Sequence, residues 1–107
     1  MQLNHNDRIL LGDGLFETLR FENRRLIYPQ KHWQRLYQSA TQLGITVPMA
    51  YREWKAAILN CIKNTNLKTG GVKVILSAGE APRGLELTGQ NSYFLFQAFT
   101  YPSSHKP

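Results

Sequence analysis

The residues between Gly12 and Gly44 have the pattern of a strand, a turn and a helix in succession, and this order limits the possible folds of the chain. Residues 15–21 are predicted to alternate, because successive side chains of a strand point to opposite faces. Leu15, Glu17, Leu19 and Phe21 then share one face, and Phe16, Thr18 and Arg20 share the other. Residues 22–24 fit the tip of a hairpin. Pro29 suits the first position of the helix and Gly44 its end, so this stretch predicts a β-β-α unit.

The rest of the chain continues with a second helix and two further strands. Apolar residues recur at helical spacing after Pro29 and again after Pro48. Strands are expected at residues 26–28, 72–77 and 93–99, the last of them the most fully buried. The residues expected in the core are Trp33, Leu36, Tyr37, Ala40 and Leu43 of the first helix and Tyr51, Trp54, Ile58, Cys61 and Ile62 of the second. The order β-β-α-α-β-β predicts an α+β fold, an antiparallel sheet with two helices on one side.

Composition and charge argue against several classes of protein. The formal net charge is +6, but the 13 Lys and Arg are scattered along the chain, so a nucleic-acid-binding surface is the least favoured interpretation. The single Cys61 excludes an intramolecular disulfide, and with no signal-peptide pattern we expect a cytoplasmic protein. No apolar run approaches the length of a membrane span. The three His and one Cys show no metal-ligand spacing.

Two groups of polar residues are candidates for binding. His32, Arg35 and Ser39 share one flank of the first predicted helix, because residues three and four apart are neighbours. Arg35 is either a solvated surface residue or a ligand of phosphate, whose oxygens a guanidinium matches with two parallel hydrogen bonds. Lys73 and Arg83 are either separate surface charges or two cations of one pocket, the second case requiring the loop around Arg83 to fold back on the strand. The residues alone leave these alternatives open.

Three blocks of the sequence resemble the N-terminal domain of the fold-type IV pyridoxal-phosphate enzymes, which are the class IV aminotransferases and aminodeoxychorismate lyase. The blocks are DRILLGDGLFETLR (Asp7–Arg20), KHWQRLYQSATQLGI (Lys31–Ile45) and GVKVILSAGEAPRG (Gly71–Gly84). They keep the family's order and approximate spacing. The resemblance implies that residues 1–107 form a single small N-terminal domain and that the C-terminal catalytic domain of such enzymes is not in this sequence. By the complete enzyme we mean this chain joined to such a domain.

The resemblance also implies roles for individual residues. Arg35 stands at the arginine of the H-x-x-R-L motif, which contacts the phosphate of the cofactor pyridoxal 5'-phosphate. The residues that resemble the family's pocket wall are Phe16, Thr18 and Arg20. Lys73 and Arg83 would suit the two carboxylates of a dicarboxylate substrate. The family's catalytic lysine lies in the C-terminal domain and none of the lysines here matches it, so we expect no catalytic residue and no catalysis in these 107 residues alone.

The expected activity of the complete enzyme is that of aminodeoxychorismate lyase, which converts 4-amino-4-deoxychorismate to 4-aminobenzoate and pyruvate on the route to folate. Lyases of this family often have an arginine where Ala78 stands and a tyrosine where Leu85 stands. Both differences count against the lyase. Amino-acid transamination, on branched-chain or D-amino acids, is the alternative, because an N-terminal domain alone separates the two activities poorly. The expected partners are the C-terminal domain, a small amino or dicarboxylate substrate, and a second copy in a homodimer. A non-catalytic binding or dimerisation module is the alternative of a different class.

Overall fold

The computed structural model of the protein describes residues 14–79 and 91–101. Its elements in chain order are β1 (Leu15–Glu22), β2 (Arg25–Leu26), α1 (Pro29–Leu43), α2 (Tyr51–Lys63), β3 (Gly70–Ser77) and β4 (Tyr93–Phe99). The strands found in these ranges form one antiparallel sheet in the order β2-β1-β3-β4. The predicted α+β class and order of elements are therefore confirmed. Gly12, at the start of the predicted β-β-α segment, lies outside the described residues, as do Arg83 and Leu85.

The alternation predicted for β1 is present. The buried residues on its helix side are Glu17, Leu19 and Phe21, and the exposed residues on its other side are Phe16, Thr18 and Arg20. β3 pairs with β1 so that Thr18 lies opposite Lys73, and Lys73 lies opposite Gln97 of β4. Directly opposed residues of antiparallel strands share a face of the sheet. We call the face that carries Phe16, Thr18, Arg20 and Lys73 the open face.

Both helices pack on the same side of the sheet, opposite the open face. Trp54, Ile58 and Ile62 of α2 are fully buried and form one cluster with residues of β1 and β3. Leu36 and Ala40 of α1 form a second cluster with Leu76 of β3. These clusters remove the apolar side of the sheet from water, which is the main stabilising contribution to a fold of this kind.

Part of the predicted core of α1 is exposed instead. Tyr37 is 51% exposed and Leu43 is 55% exposed, so the prediction that they are buried is wrong. The strip of α1 that contacts the sheet is narrow and is occupied by Leu36 and Ala40, one turn apart. Helical spacing shows which residues share a flank of the helix. It does not show how much of that flank the sheet and α2 cover. Trp33 is half-buried, with its ring centroid 5.1 Å from that of Trp54.

The second strand is shorter than its sequence predicts. Asn23 and Arg24 have φ values of 51° and 64°, which is a tight turn with both central residues left-handed. β2 then ends at Leu26, although the amide of Ile27 still donates to the carbonyl of Arg20 at 2.9 Å. Tyr28, the residue before α1, has the left-handed backbone conformation, with φ 55° and ψ 47°. The predicted strand at residues 26–28 is therefore wrong beyond its first residue, because the chain must reverse there to start the helix at Pro29.

The last strand is less buried than predicted. β4 has the bounds that the sequence predicts, but its residues are half-buried or exposed. Within the described residues it is the edge of the sheet, paired with β3 on one side. The aromatic run that suggested a buried strand instead covers β3 from the edge. The ring of Phe99, for example, lies where a side chain at Gly71 would have to be.

Candidate functional site

A buried carboxylate on β1 connects the sheet to α1. The side chain of Glu17 is 8% exposed and lies on the helix side of the sheet. Arg35 Nε donates to Glu17 Oε2 and Arg35 Nη2 donates to Oε1, each at 2.8 Å. His32 Nδ1 lies 2.7 Å from Oε1, and it must carry the proton of this bond because an ionised carboxylate only accepts. We call these three residues the Glu17 cluster.

The local sequence explains why the cluster forms. His32 and Arg35 are three residues apart and therefore lie on one flank of α1. That flank faces the buried side of β1, where Glu17 precedes the buried Leu19 and Phe21. Removing a carboxylate from water without a partner is costly. The paired donation from Arg35 is the strong and directional form of an ion pair, so the cluster compensates for the burial of Glu17.

Burial and pairing act on the ionisation of Glu17 in opposite directions. Burial raises the pKa of its carboxyl, since it disfavours the charged form. The hydrogen bonds and charges of Arg35 and His32 outweigh burial, so the pKa of Glu17 lies below its ordinary value of 4.5. The hydrogen bond and charge of Glu17 in turn raise the pKa of Arg35. Glu17 is therefore an anion and Arg35 a cation at neutral pH.

This lowered pKa predicts how the cluster contributes to stability as the pH changes. A carboxyl whose pKa is lower in the folded than in the unfolded state stabilises the fold above the unfolded pKa, and this contribution disappears as the pH falls through the folded pKa. We expect the difference in unfolding free energy between the native chain and Glu17→Gln to be constant near pH 5.5 and to shrink below 4.5. Urea unfolding of both proteins from about pH 3 to pH 5.5 measures this difference. A difference that stays constant over the whole range would contradict the prediction.

The open face carries cations beside aromatic rings. Lys73 Nζ lies 5.0 Å from the centroid of the Phe16 ring, and Arg20 Cζ lies 5.5 Å from that of Tyr101. Arg20 Nε also lies 3.3 Å from Oε2 of Glu22. Lys73 has no acidic partner among the described residues. A lysine held over a ring is oriented without being neutralised. The open face can therefore present the charge of Lys73 to an anion.

The structure brings some predicted site residues together and separates others. Phe16, Thr18, Arg20 and Lys73 share the open face. Arg35 lies on the opposite side of β1, bound to Glu17. The separation is the width of one strand, because Phe16 and Thr18 are the sequence neighbours of Glu17. A ligand that contacts both Arg35 and the open face would have to do so at this segment of β1.

Glu17 is the residue that the sequence argument missed. The alternation of β1 put it on the apolar side with Leu19 and Phe21, and it received no role there. An acidic side chain among buried residues needs a cation, and this was the available signal. The following helix supplies the matching residues on one flank, the cation Arg35 and the hydrogen-bond donor His32. Ala78 is 1% exposed and belongs to the core with Leu36.

Two further observations limit the chemistry of the described part of the chain. No group of three or more His, Cys, Asp or Glu lies close enough together to hold a metal ion in residues 14–79 and 91–101. Neither α1 nor α2, the helices of these ranges, has the length and apolar character needed to cross a membrane.

Comparison with solved structures finds close matches in fold. A protein from Legionella pneumophila, provisionally named 4-amino-4-deoxychorismate lyase, superimposes with a TM-score of 0.87 and 42% identity, covering 95% of this chain and 38% of that one. A hypothetical aminotransferase from Mycobacterium tuberculosis, with α-ketoglutarate and PMP bound, superimposes with a TM-score of 0.74 and 25% identity. That match covers 97% of this chain and 36% of the other.

Sequence comparison gives the same family. The D-alanine aminotransferase of Bacillus licheniformis is 32% identical over an alignment of 89 residues, and the match covers 79% of this chain and 31% of the relative. The chain therefore spans about a third of the length of that curated relative. The model of the family described as amino-transferase class IV matches residues 14–107. Since this match covers nearly the whole sequence and agrees with the fold, the chain belongs to the class IV aminotransferase family.

Proposed function

We propose that this chain is the small N-terminal domain of a cytoplasmic pyridoxal 5'-phosphate enzyme and that the complete enzyme is an aminodeoxychorismate lyase. The observation that carries the proposal is the 42% identity with the provisionally named lyase from Legionella pneumophila over 95% of the chain. The relative from Bacillus licheniformis, at 32% identity, favours D-amino-acid transamination as the second candidate. In either case the substrate is a small molecule with an amino group.

The donor set of Arg35 fits the phosphate of the cofactor. A guanidinium has five N–H donors, and Glu17 accepts two of them. Among the described residues no acceptor binds Nη1, and the Arg35 side chain is 67% exposed. In the complete enzyme Arg35 would hold the phosphate through these remaining donors. When bound, pyridoxal phosphate supplies an electron sink for reactions beside the substrate's amino group.

The open face would contribute to the substrate pocket. Lys73 offers a charge that Phe16 orients and that Thr18 faces across the strand pair. A substrate carboxylate would bind there as the partner that Lys73 lacks among the described residues. Arg83 is proposed as the second cation for a dicarboxylate substrate. These residues bind and orient, while the catalytic lysine and the group that faces the cofactor ring are expected from the C-terminal domain.

The two candidate activities are distinguished by one product. We expect the complete enzyme to form 4-aminobenzoate from 4-amino-4-deoxychorismate, detected by chromatography with absorbance. Pyruvate does not distinguish the activities, because it is also the keto acid that D-alanine yields on transamination. Transfer of the amino group of D-alanine to a 2-oxo acid is measured in parallel. Turnover of D-alanine without formation of 4-aminobenzoate would replace the lyase with the second candidate.

Lys73 is expected to act on the substrate and not on the cofactor. In the complete enzyme, Lys73→Gln should raise KM or lower kcat/KM on the order of tenfold, the typical effect of losing one charged hydrogen bond. Cofactor occupancy, read from its absorbance after gel filtration, should be unchanged. Lys63→Gln is the matched control, because Lys63 is exposed on α2 in the helix layer. Loss of cofactor in Lys73→Gln, or unchanged kinetics, would contradict the role.

The 107 residues by themselves are expected to be inactive, because they supply a phosphate ligand and part of a pocket wall. One exposed arginine offers too few contacts to offset the entropy lost when a small molecule is immobilised. Mixed with pyridoxal phosphate, the isolated chain should therefore bind it weakly and give no stoichiometric lysine adduct after borohydride treatment.

We also propose that the complete enzyme is a homodimer, as the family resemblance implies.

A further inference from the structure

We propose that Glu17 is a positioning residue for phosphate binding, which it serves by fixing the guanidinium of Arg35 with its free donors turned outward. This inference rests on the proposed function of Arg35 as the phosphate ligand. It concerns a residue that neither the sequence pattern nor the comparisons assign.

The geometry of the pair leaves one edge of Arg35 available. Glu17 accepts from Nε and Nη2 at 2.8 Å each, so the two bonds occupy one edge of the planar guanidinium. The remaining three N–H donors lie on Nη1 and on the other side of Nη2. Glu17 is 8% exposed whereas Arg35 is 67% exposed. The occupied edge therefore faces the sheet and the remaining edge faces solvent.

Fixing the side chain favours ligand binding. A free arginine on a helix surface samples many rotamers and must lose that freedom when it binds an anion. The two hydrogen bonds to Glu17 restrict the Arg35 side chain independently of any ligand, so less entropy remains to be lost when an anion binds. His32 donates to the same oxygen as Nη2, at 2.7 Å, and so restricts Glu17 as well. Within the Glu17 cluster, His32 thus restricts Glu17, and Glu17 restricts the exposed Arg35.

The carboxylate also has an unfavourable effect, which makes the proposal testable. A negative charge beside Arg35 reduces the attraction of the guanidinium for phosphate. If this effect dominated, or if the pair served only to join α1 to β1, removal of the charge would leave phosphate binding unchanged or strengthen it. The proposal requires the opposite result. Glu17→Gln keeps the shape of the side chain but offers one acceptor where Arg35 needs two.

The experiment compares two ligands that differ only in the phosphate. Dissociation constants of pyridoxal phosphate and of pyridoxal are measured with the complete enzyme for the native protein, Glu17→Gln, Arg35→Ala and the double variant. We expect Glu17→Gln to weaken binding of pyridoxal phosphate on the order of tenfold and to leave pyridoxal unaffected. The double variant should bind no more weakly than Arg35→Ala, since both changes remove the same interaction. Glu53→Gln is the control, because Glu53 is an exposed carboxylate of α2 that accepts from the amide of Ala50, a contact that glutamine can keep.

Three results would overturn the proposal. These are unchanged or tighter binding of pyridoxal phosphate in Glu17→Gln, an equal loss for both ligands, and additive losses in the double variant. They are distinguishable from failure of the proposed function, because that failure appears in Arg35→Ala as unchanged binding of pyridoxal phosphate. A loss in Arg35→Ala without one in Glu17→Gln overturns the role of Glu17 alone.

A second measurement covers the case in which Glu17→Gln does not fold. Ethylguanidinium is added to Arg35→Ala, in which Glu17 keeps its carboxylate. We expect the added cation to occupy the carboxylate and restore part of the affinity for pyridoxal phosphate, with no effect on pyridoxal. Absence of this rescue would overturn the proposal, because Glu17 would then not hold a guanidinium where the phosphate binds.

Discussion

Arg35→Ala in the complete enzyme is expected to weaken the binding of pyridoxal phosphate on the order of 10- to 100-fold, the range for losing a charged hydrogen bond. The physical reason is the pairing of guanidinium with phosphate, for which Arg35 retains an exposed edge while Glu17 occupies the other. The variant also leaves the carboxylate of Glu17 near the phosphate without its main cation. Titration of the cofactor-free enzyme, followed by cofactor absorbance, measures the dissociation constant.

Two further variants make this result specific. Arg35→Lys keeps the positive charge but cannot donate to Glu17 and phosphate through two separate edges, so it should restore only part of the affinity. Arg52→Ala removes an exposed arginine of α2 and should leave the affinity unchanged. If Arg35→Ala bound the cofactor as tightly as the native enzyme, Arg35 would be a surface residue whose function is its ion pair with Glu17.

Trp54→Ala is expected to destabilise the fold by about 3–5 kcal/mol, the range for truncation of a fully buried tryptophan. Trp54 has no exposed surface and belongs to the cluster of α2 with β1 and β3. Its ring lies 5.1 Å from Trp33 and 6.1 Å from Tyr51, centroid to centroid, so its loss leaves a cavity where the two helices meet. Equilibrium unfolding of the 107-residue chain in urea measures the change in free energy.

The size of the cavity, and not a lost polar contact, should determine this effect. Nε1 of Trp54 has no hydrogen-bond partner among the described residues. Trp54→Phe keeps much of the ring volume and should therefore cost clearly less than Trp54→Ala. Leu59→Ala, at an exposed position of α2, is the control and should change stability little. Equal losses in Trp54→Ala and Leu59→Ala would show that the helix–sheet core does not depend on Trp54.

The elements that the sequence predicts well are those with two independent local signals. β1 has strict alternation and a turn after it, and its faces are as predicted. α1 begins at Pro29 and is followed by Gly44 with φ 74°, as expected for the residue that ends a helix. α2 has its stripe of Trp54, Ile58 and Ile62 in the core. In each case the pattern depends on neighbouring residues and not on the rest of the fold.

The predictions that fail depend on tertiary neighbours. Tyr37 and Leu43 lie at helical spacing from buried residues, but nothing in the spacing shows how wide a strip the sheet covers. The aromatic residues of β4 predict a more fully buried strand, and only the strand order shows that β4 is at the edge. The pairing of Glu17 with Arg35 also joins residues of different elements. Periodicity could identify both residues, but not their 2.8 Å contacts.

The register of the sheet has a consequence for how the chain folds. Thr18 and Lys73 are direct neighbours in the pairing of β1 with β3, although both α1 and α2 lie between them in the sequence. Closing such a long loop is entropically unfavourable until its contacts form, so pairings of this kind slow folding. The helices contain only local hydrogen bonds and can form much earlier. We expect the two central strands to pair late, after the helices have formed, so the open face is the last part of the structure to be assembled.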